Sequence, residues 1–266
     1  MKWQYLLFAV ALLVTGCGAI ENSSRLVQTL DKPLVADGPG VLADAEEDRL
    51  AWEAGIVAIP GNDKCSFRRI GDGDVQKNCL SNRRNAGGGK LPAVIFLHGC
   101  DGINTRQTSV MGLFVQNGYP TFMPDSMVRS ERVTECGSAR EYIHLRFDDI
   151  NYALSQIRKI PWIDHKRLVL AGFSAGGVGA AEYLDLEFVF KARVILGWGC
   201  RGESPLDTNA PYLNLVGSHD DETRRGNQLC SAGGDSIAMN VSSGHDVSED
   251  SASLAIIREF LAKVLK

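Results

Sequence analysis

The strongest constraint in the sequence is a junction. The apolar segment 167–173 (RLVLAGF) runs directly into Gly172-Phe173-Ser174-Ala175-Gly176, and the small-residue stretch 175–184 runs directly out. A strand followed at once by a helix through G-x-S-x-G leaves room only for a sharp turn. That turn strains the backbone of its central residue and brings the residues two positions either side close together, so they must be small. Gly172 and Gly176 meet that need. A strand that feeds a covering helix is also the repeating unit of a parallel sheet buried on both faces.

The rest of the chain repeats the unit. Residues 93–97 (AVIFL) form a continuous apolar run, as expected of a doubly covered strand. Helical spacing follows over 109–117 and stops at Gly118; 119–124 is a short strand; 139–160 is a long helix ended by Pro161. Residues 193–198 and 212–216 are two more strands, and 254–265 is a terminal amphipathic helix. A first strand is expected within 55–60, and 61–90 is rich in loop residues. The expected fold class is α/β: a mostly parallel, doubly wound sheet with helices on both faces and little or no lid domain. Sites in such sheets lie at the carboxyl ends of the strands.

Composition narrows the function classes. The chain has 266 residues, 44% hydrophobic and 23% charged, with a net charge of −4. This is globular composition. The acidic balance argues against nucleic acid as a partner. No repeat of solenoid or propeller length is present. The Gly87-Gly88-Gly89-Lys90 run lacks Walker spacing and precedes a strand where a phosphate loop would follow one. The five histidines are scattered and no HExxH occurs, so neither a metal nor another cofactor is expected.

The N-terminus reads as a targeting signal. Lys2 precedes an apolar run over 6–14, too short to span a bilayer, which ends in Val14-Thr15-Gly16-Cys17. This boundary resembles the lipobox of bacterial lipoproteins, which implies cleavage before Cys17 and acylation of that residue. The expected organisation is a signal peptide over 1–16, a lipid anchor and tether over 17–54 with a short helix near 43–54, and a catalytic-type domain over 55–266. The expected location is the cell envelope, periplasmic or surface-exposed. By resemblance to enterobacterial sorting, Gly18 in place of Asp points to the outer membrane.

Candidate chemistry gathers at the strand ends. Ser174 sits at a helix N-terminus, where backbone N–H groups favour developing negative charge. Serine is a weak nucleophile and needs a base. His245, in the loop 242–246 before the last helix, is the expected base. The acid should come from a strand end between them: Asp220, with Asp221 as the alternative, follows strand 212–216. The order Ser174, Asp220, His245 is that of α/β-hydrolase triads. An oxyanion hole needs two N–H donors. The expected pair is Ala175, next to the nucleophile, and Cys100, in the loop after strand 93–97. His98, at the end of that strand, is expected to be structural.

Seven cysteines are present. With Cys17 lipidated, six remain, and in an exported protein an even number suggests disulfides. Fifteen connectivities are possible. Placement favours Cys65–Cys79 within one loop-rich segment, Cys100–Cys136 after two successive strands, and Cys200–Cys230 after two neighbouring strands.

Over residues 92–265 the chain resembles the dienelactone hydrolase family of α/β-hydrolases. The resemblance rests on LHGCDG (97–102), Pro124-Asp125-Ser126 with a following Cys136, PWIDHKRLVLAGFSAGG (161–177), GSHDD (217–221) and SGHD (243–246). It implies a compact sheet and an accessible site. Two departures stand out. Ser174 occupies the place where the founding enzymes have Cys, so lactone specificity does not carry over. Arg129 and Arg132 flank Ser130-Glu131, where an Arg-Gly would be expected, so recognition of an acidic substrate does not carry over either. The combined expectation is a lipid-anchored serine hydrolase acting on small-molecule or polymer carboxylic esters. The alternatives are a peptidase or amidase with the same triad, or a non-catalytic envelope lipoprotein that binds through the fold.

Overall fold

The computed structural model describes residues 44–81, 89–130, 142–185, 189–200, 205, 210–221 and 228–266. The signal segment, Cys17, Arg132 and Cys136 lie outside the described residues. Helix α1 (Asp44–Ala54) leads into strand β1 (Ile56–Ala58), and β2 (Arg68–Arg69) follows. A helical turn over Gly73–Val75 then runs into a π-helical turn over Gln76–Leu80. The alternating part comprises β3 (Leu91–Leu97), α2 (Thr105–Gln116), β4 (Thr121–Met123), α3 (Ile143–Ile157), β5 (Ile163–Phe173), α4 (Ala175–Glu182), β6 (Ala192–Leu196), β7 (Tyr212–Gly217), β8 (Ile237–Val241) and α5 (Ser251–Val264).

Among the described residues, eight strands form one sheet in the order β2-β1-β4-β3-β5-β6-β7-β8. β1 pairs antiparallel with β2 and β4; every pairing from β4 to β8 is parallel. The α/β-hydrolase arrangement expected from the sequence is therefore found. Successive side chains of a strand point to opposite faces, and the core divides accordingly. Ala93, Ile95 and Leu97 of β3 join Ile150, Ala153 and Ile157 of α3 and Ala180 of α4 on one face. Val94 and Phe96 join Val110, Met111 and Phe114 of α2 and Ile257, Phe260 and Leu261 of α5 on the other. The five residues 93–97 of this strand thus fill two layers rather than one, which is why the run reads as continuously apolar.

Two features depart from the sequence reading. The stretch 44–54, assigned there to the tether, packs into the body of the fold: Ala51, Trp52 and Ala54 are buried, and Trp52 stacks on Phe122 of β4 with ring centroids 5.7 Å apart. Among the described residues, the folded part therefore includes α1 together with the elements that follow it. Strand β8 was not anticipated. It is the sheet edge, with Ile237 and Met239 about one-third exposed and only Val241 buried. An edge strand needs no continuous apolar run, so its pattern is weak. Disulfides Cys65–Cys79 and Cys200–Cys230 are present as expected, with Cα–Cα separations of 5.7 and 4.5 Å.

Candidate active site

Ser174 joins β5 to α4 at φ 55°, ψ −119°. A non-glycine residue in this region is strained by about 1–3 kcal/mol and persists only where its surroundings enforce it. They do so here through close approach. A Cβ on Gly172 would lie 2.0 Å from the Gly176 carbonyl oxygen, and one on Gly176 would lie 2.1 Å from that of Leu97. Backbone bonds fix the turn on both sides: the Ser174 N–H donates to Leu196 of β6 at 2.8 Å, and the Gly177 N–H donates to Ser174 at 2.8 Å.

The expected acid and base, Asp220 and His245, lie in the loops after β7 and β8. His245 Nδ1 and Asp220 Oδ2 are 2.8 Å apart, and both residues are buried. That partnership makes Nδ1 the protonated nitrogen and leaves Nε2 as the basic one. The His245 ring packs on Phe173, the residue before Ser174, with centroids 4.9 Å apart. The two loops carrying the pair are zipped together. Ser218 and His219 donate their N–H groups to Val241 and Ser243 at 2.8 and 2.9 Å. Only a glycine fits at 217, because a Cβ there would lie 1.8 Å from the Gly244 oxygen. Asp250 caps α5 through the Ala252 N–H and also accepts the Ser242 N–H, tying the His245 loop to the helix. Asp221, the alternative acid, is exposed.

The remaining histidines lie elsewhere: His144 and His219 are exposed, and His165 lies within β5. His98 is fully buried, and burial followed by the nearby Arg146 charge holds it well below its ordinary pKa. Its Nδ1 lies 2.6 Å from the Gly99 oxygen, and its Nε2 accepts the Ser126 N–H at 3.1 Å. That set of partners assigns a neutral ring, protonated at Nδ1.

The loop after β3 comes up against Ser174. A Cβ on Gly99 would lie 3.4 Å from the Ser174 Cβ. The Gly99 N–H is taken by Gln107 Oε1 at 2.9 Å. Cys100 follows, and it is disulfide-bonded. Its expected partner, Cys136, lies outside the described residues. Ala175 is the first residue of α4, so the helix supplies no acceptor for its N–H.

Beneath this loop lies a charged cluster the sequence reading missed. Arg146 and Asp149 of α3 are 3% and 2% exposed, and Arg129 is 2% exposed. Ser126 donates to Asp149 and accepts from Arg146; Arg129 reaches Asp149 at 2.7 Å and Asp48 of α1 at 2.8 Å. Arg129 is therefore committed inside the protein rather than turned towards a substrate. Burial first, and the Asp149 charge in addition, push the neighbouring Asp125 up to about 6. In sequence, Arg146 and Asp149 pass for a surface pair three residues apart. A signal was nevertheless present, because Arg146 falls on the same helical stripe as Ile150, Ala153 and Ile157.

No protein-family model matches the chain, and no curated protein matches it. Solved structures alike in fold include a protein of Klebsiella pneumoniae named as a dienelactone hydrolase, at 19% identity and a TM-score of 0.48 over 69% of this chain and 90% of that one. Another is a dienelactone hydrolase-like promiscuous phosphotriesterase from metagenomic libraries, at 14% identity and a TM-score of 0.45 over 67% and 88%. A third is the acylaminoacyl peptidase of Pyrococcus horikoshii, at 16% identity and a TM-score of 0.46 over 70% of this chain and 39% of that one. Likenesses at this level do not bear on substrate or mechanism.

Proposed function

We propose that the protein is a serine hydrolase that cleaves carboxylic esters, with Ser174 as nucleophile, His245 as base and Asp220 as its orienting acid. The observation that carries the reading is the strained Ser174 turn at the end of β5, with the bonded Asp220–His245 pair at the ends of the strands beyond it and its ring against Phe173. Strain of this kind is maintained where a site needs the side chain raised from the sheet.

In this reading, Ser174 Oγ bonds to the ester carbonyl carbon and its proton passes to His245 Nε2. The carbonyl π electrons move onto oxygen, where the Ala175 and Cys100 N–H groups hold the oxyanion. Asp220 keeps the imidazole oriented and stabilises its cation. When the carbonyl re-forms, the C–O bond to the alcohol breaks and the alcohol takes the His245 proton. Water then adds to the acyl-enzyme with His245 again as base. It releases the acid and restores Ser174. The reading includes a lipid at Cys17 that tethers this domain to a membrane of the cell envelope and brings it to small or polymeric esters there.

Purified mature protein should hydrolyse p-nitrophenyl acetate with saturation kinetics, and the Ser174→Ala variant should not. Equal rates for the two proteins would refute the assignment.

A further inference from the structure

We propose that Arg146 is a positioning residue for the oxyanion hole: its guanidinium, together with the His98 ring, holds the Gly99 carbonyl and so aims the Cys100 N–H of the same peptide. The inference rests on the serine hydrolase reading and assigns a residue outside the triad.

The geometry begins with the peptide bond. Gly99 C=O and Cys100 N–H belong to one planar unit, and no described peptide is cis. In a trans peptide the two groups point in opposite directions. The Gly99 oxygen points inward, to Arg146 Nη2 at 3.3 Å and His98 Nδ1 at 2.6 Å. The Cys100 N–H is thereby directed the other way, on a loop whose Gly99 abuts Ser174. Gln107 fixes the preceding N–H and a disulfide fixes the following side chain, so the peptide is held at both ends and at its carbonyl.

Chemistry adds to geometry. Burying a guanidinium is costly, and an apolar residue on the α3 stripe would fill the space at lower cost. The contacts of Arg146 show where that expense goes. Its nitrogens reach His98 Nε2 at 3.2 Å, the Gly99 oxygen and Ser126 Oγ; the Asp149 carboxylate is farther, at 3.9 Å. The positive charge is therefore applied to the oxyanion loop and its supports. A cationic donor on a carbonyl oxygen polarises the peptide and strengthens its N–H as a donor. Space for the stem is kept open by Gly179 of α4, where a Cβ would lie 3.1 Å from the Arg146 Cβ.

The test uses the full mature chain and two variants. Arg146→Lys keeps the charge but loses the planar fork that reaches Gly99 and His98 together. His98→Gln keeps an acceptor for the Ser126 N–H but loses the donor to Gly99. With p-nitrophenyl acetate as substrate, each folded variant should lose kcat by about tenfold to a hundredfold, with KM within a factor of about two. Affinity for a trifluoromethyl ketone, whose Ser174 adduct carries an oxyanion, should weaken in parallel. Unchanged kcat in a folded variant, or a loss confined to KM, overturns the proposal. Failure of both variants to fold makes the cluster a folding element and overturns it as well. A wild-type protein without esterase activity refutes the hydrolase reading itself, and this inference with it; an active wild type with active variants refutes only the inference.

Discussion

The two sides of Ser174 are built differently. On the side of the proposed base, a 2.8 Å contact joins His245 to Asp220, and the loops carrying them are joined by main-chain bonds. On the side of the proposed oxyanion hole, a single loop is gripped by Arg146, His98, Gln107 and a disulfide, over a cluster of buried charges that extends to α1. A base must alternate between two protonation states, so the partner of its ring must suit both the neutral and the charged form. An oxyanion donor must not move at all, since reorganisation during reaction forfeits its advantage.

Mutations should separate the two sides, beginning with the largest effect. Ser174→Ala and His245→Ala should each lower ester turnover by a similar factor, on the order of 10³ or more, because nucleophile and base act as a unit. Asp220→Asn should be clearly defective but less so, and Asp221→Asn mild. Steady-state kinetics on the four proteins would show an error in the acid assignment if Asp221→Asn were the worse of the two. On the other side, Cys100→Ser should cost about tenfold in kcat, because a loop misplaced by an ångström loses much of its rate. A melting curve for that variant should shift less than its turnover does.

Removing the Cys65–Cys79 bridge should reverse that ratio. This bridge closes a loop of sequence separation 14, far from Ser174 in the sheet order. The double Cys65→Ser/Cys79→Ser variant should lose about 3 kcal/mol of stability, read by denaturant titration, and little turnover. A large loss of kcat would mean that the two ends of the sheet are coupled.

The smallest effect concerns pH. His98 has a folded pKa well below its ordinary 6.5, so the unfolded chain binds a proton there that the folded chain does not. Stability should therefore fall as pH drops below about 6.5. Asp125 works in the opposite sense. Its pKa is raised from 3.8 to about 6, so the folded chain gains a proton first, and stability is recovered between those values. Urea titrations should show His98→Gln flattening the loss just below pH 6.5 and Asp125→Asn steepening the fall below pH 6.

The difference between the sides also explains what the sequence disclosed. The sharp turn at Ser174 and the meeting of Asp220 with His245 were legible because each residue follows a local pattern: a strand into a small-residue turn, a strand into an acidic loop, and a loop into the last helix. The core strands were legible because doubly covered strands are apolar without interruption. Strand β8 was not, since an edge strand carries no such run and its exposed Ile237 and Met239 alternate with Ala238 and Asn240. The buried charges were harder to read because Arg146 and Asp149 pass for a surface pair on one helix, while their partners Ser126, Arg129 and Asp48 come from other segments. Nor was α1 as part of the body, because its apolar face is only Ala51, Trp52 and Ala54 amid charged neighbours.

The central claim is that Ser174 is an activated nucleophile, and covalent labelling tests it most directly. Mature protein treated with a fluorophosphonate should gain the mass of one phosphonyl group, located at Ser174 by peptide mass spectrometry, and Ser174→Ala should gain none. Absence of label in folded wild-type protein, or label retained in Ser174→Ala, would contradict the account.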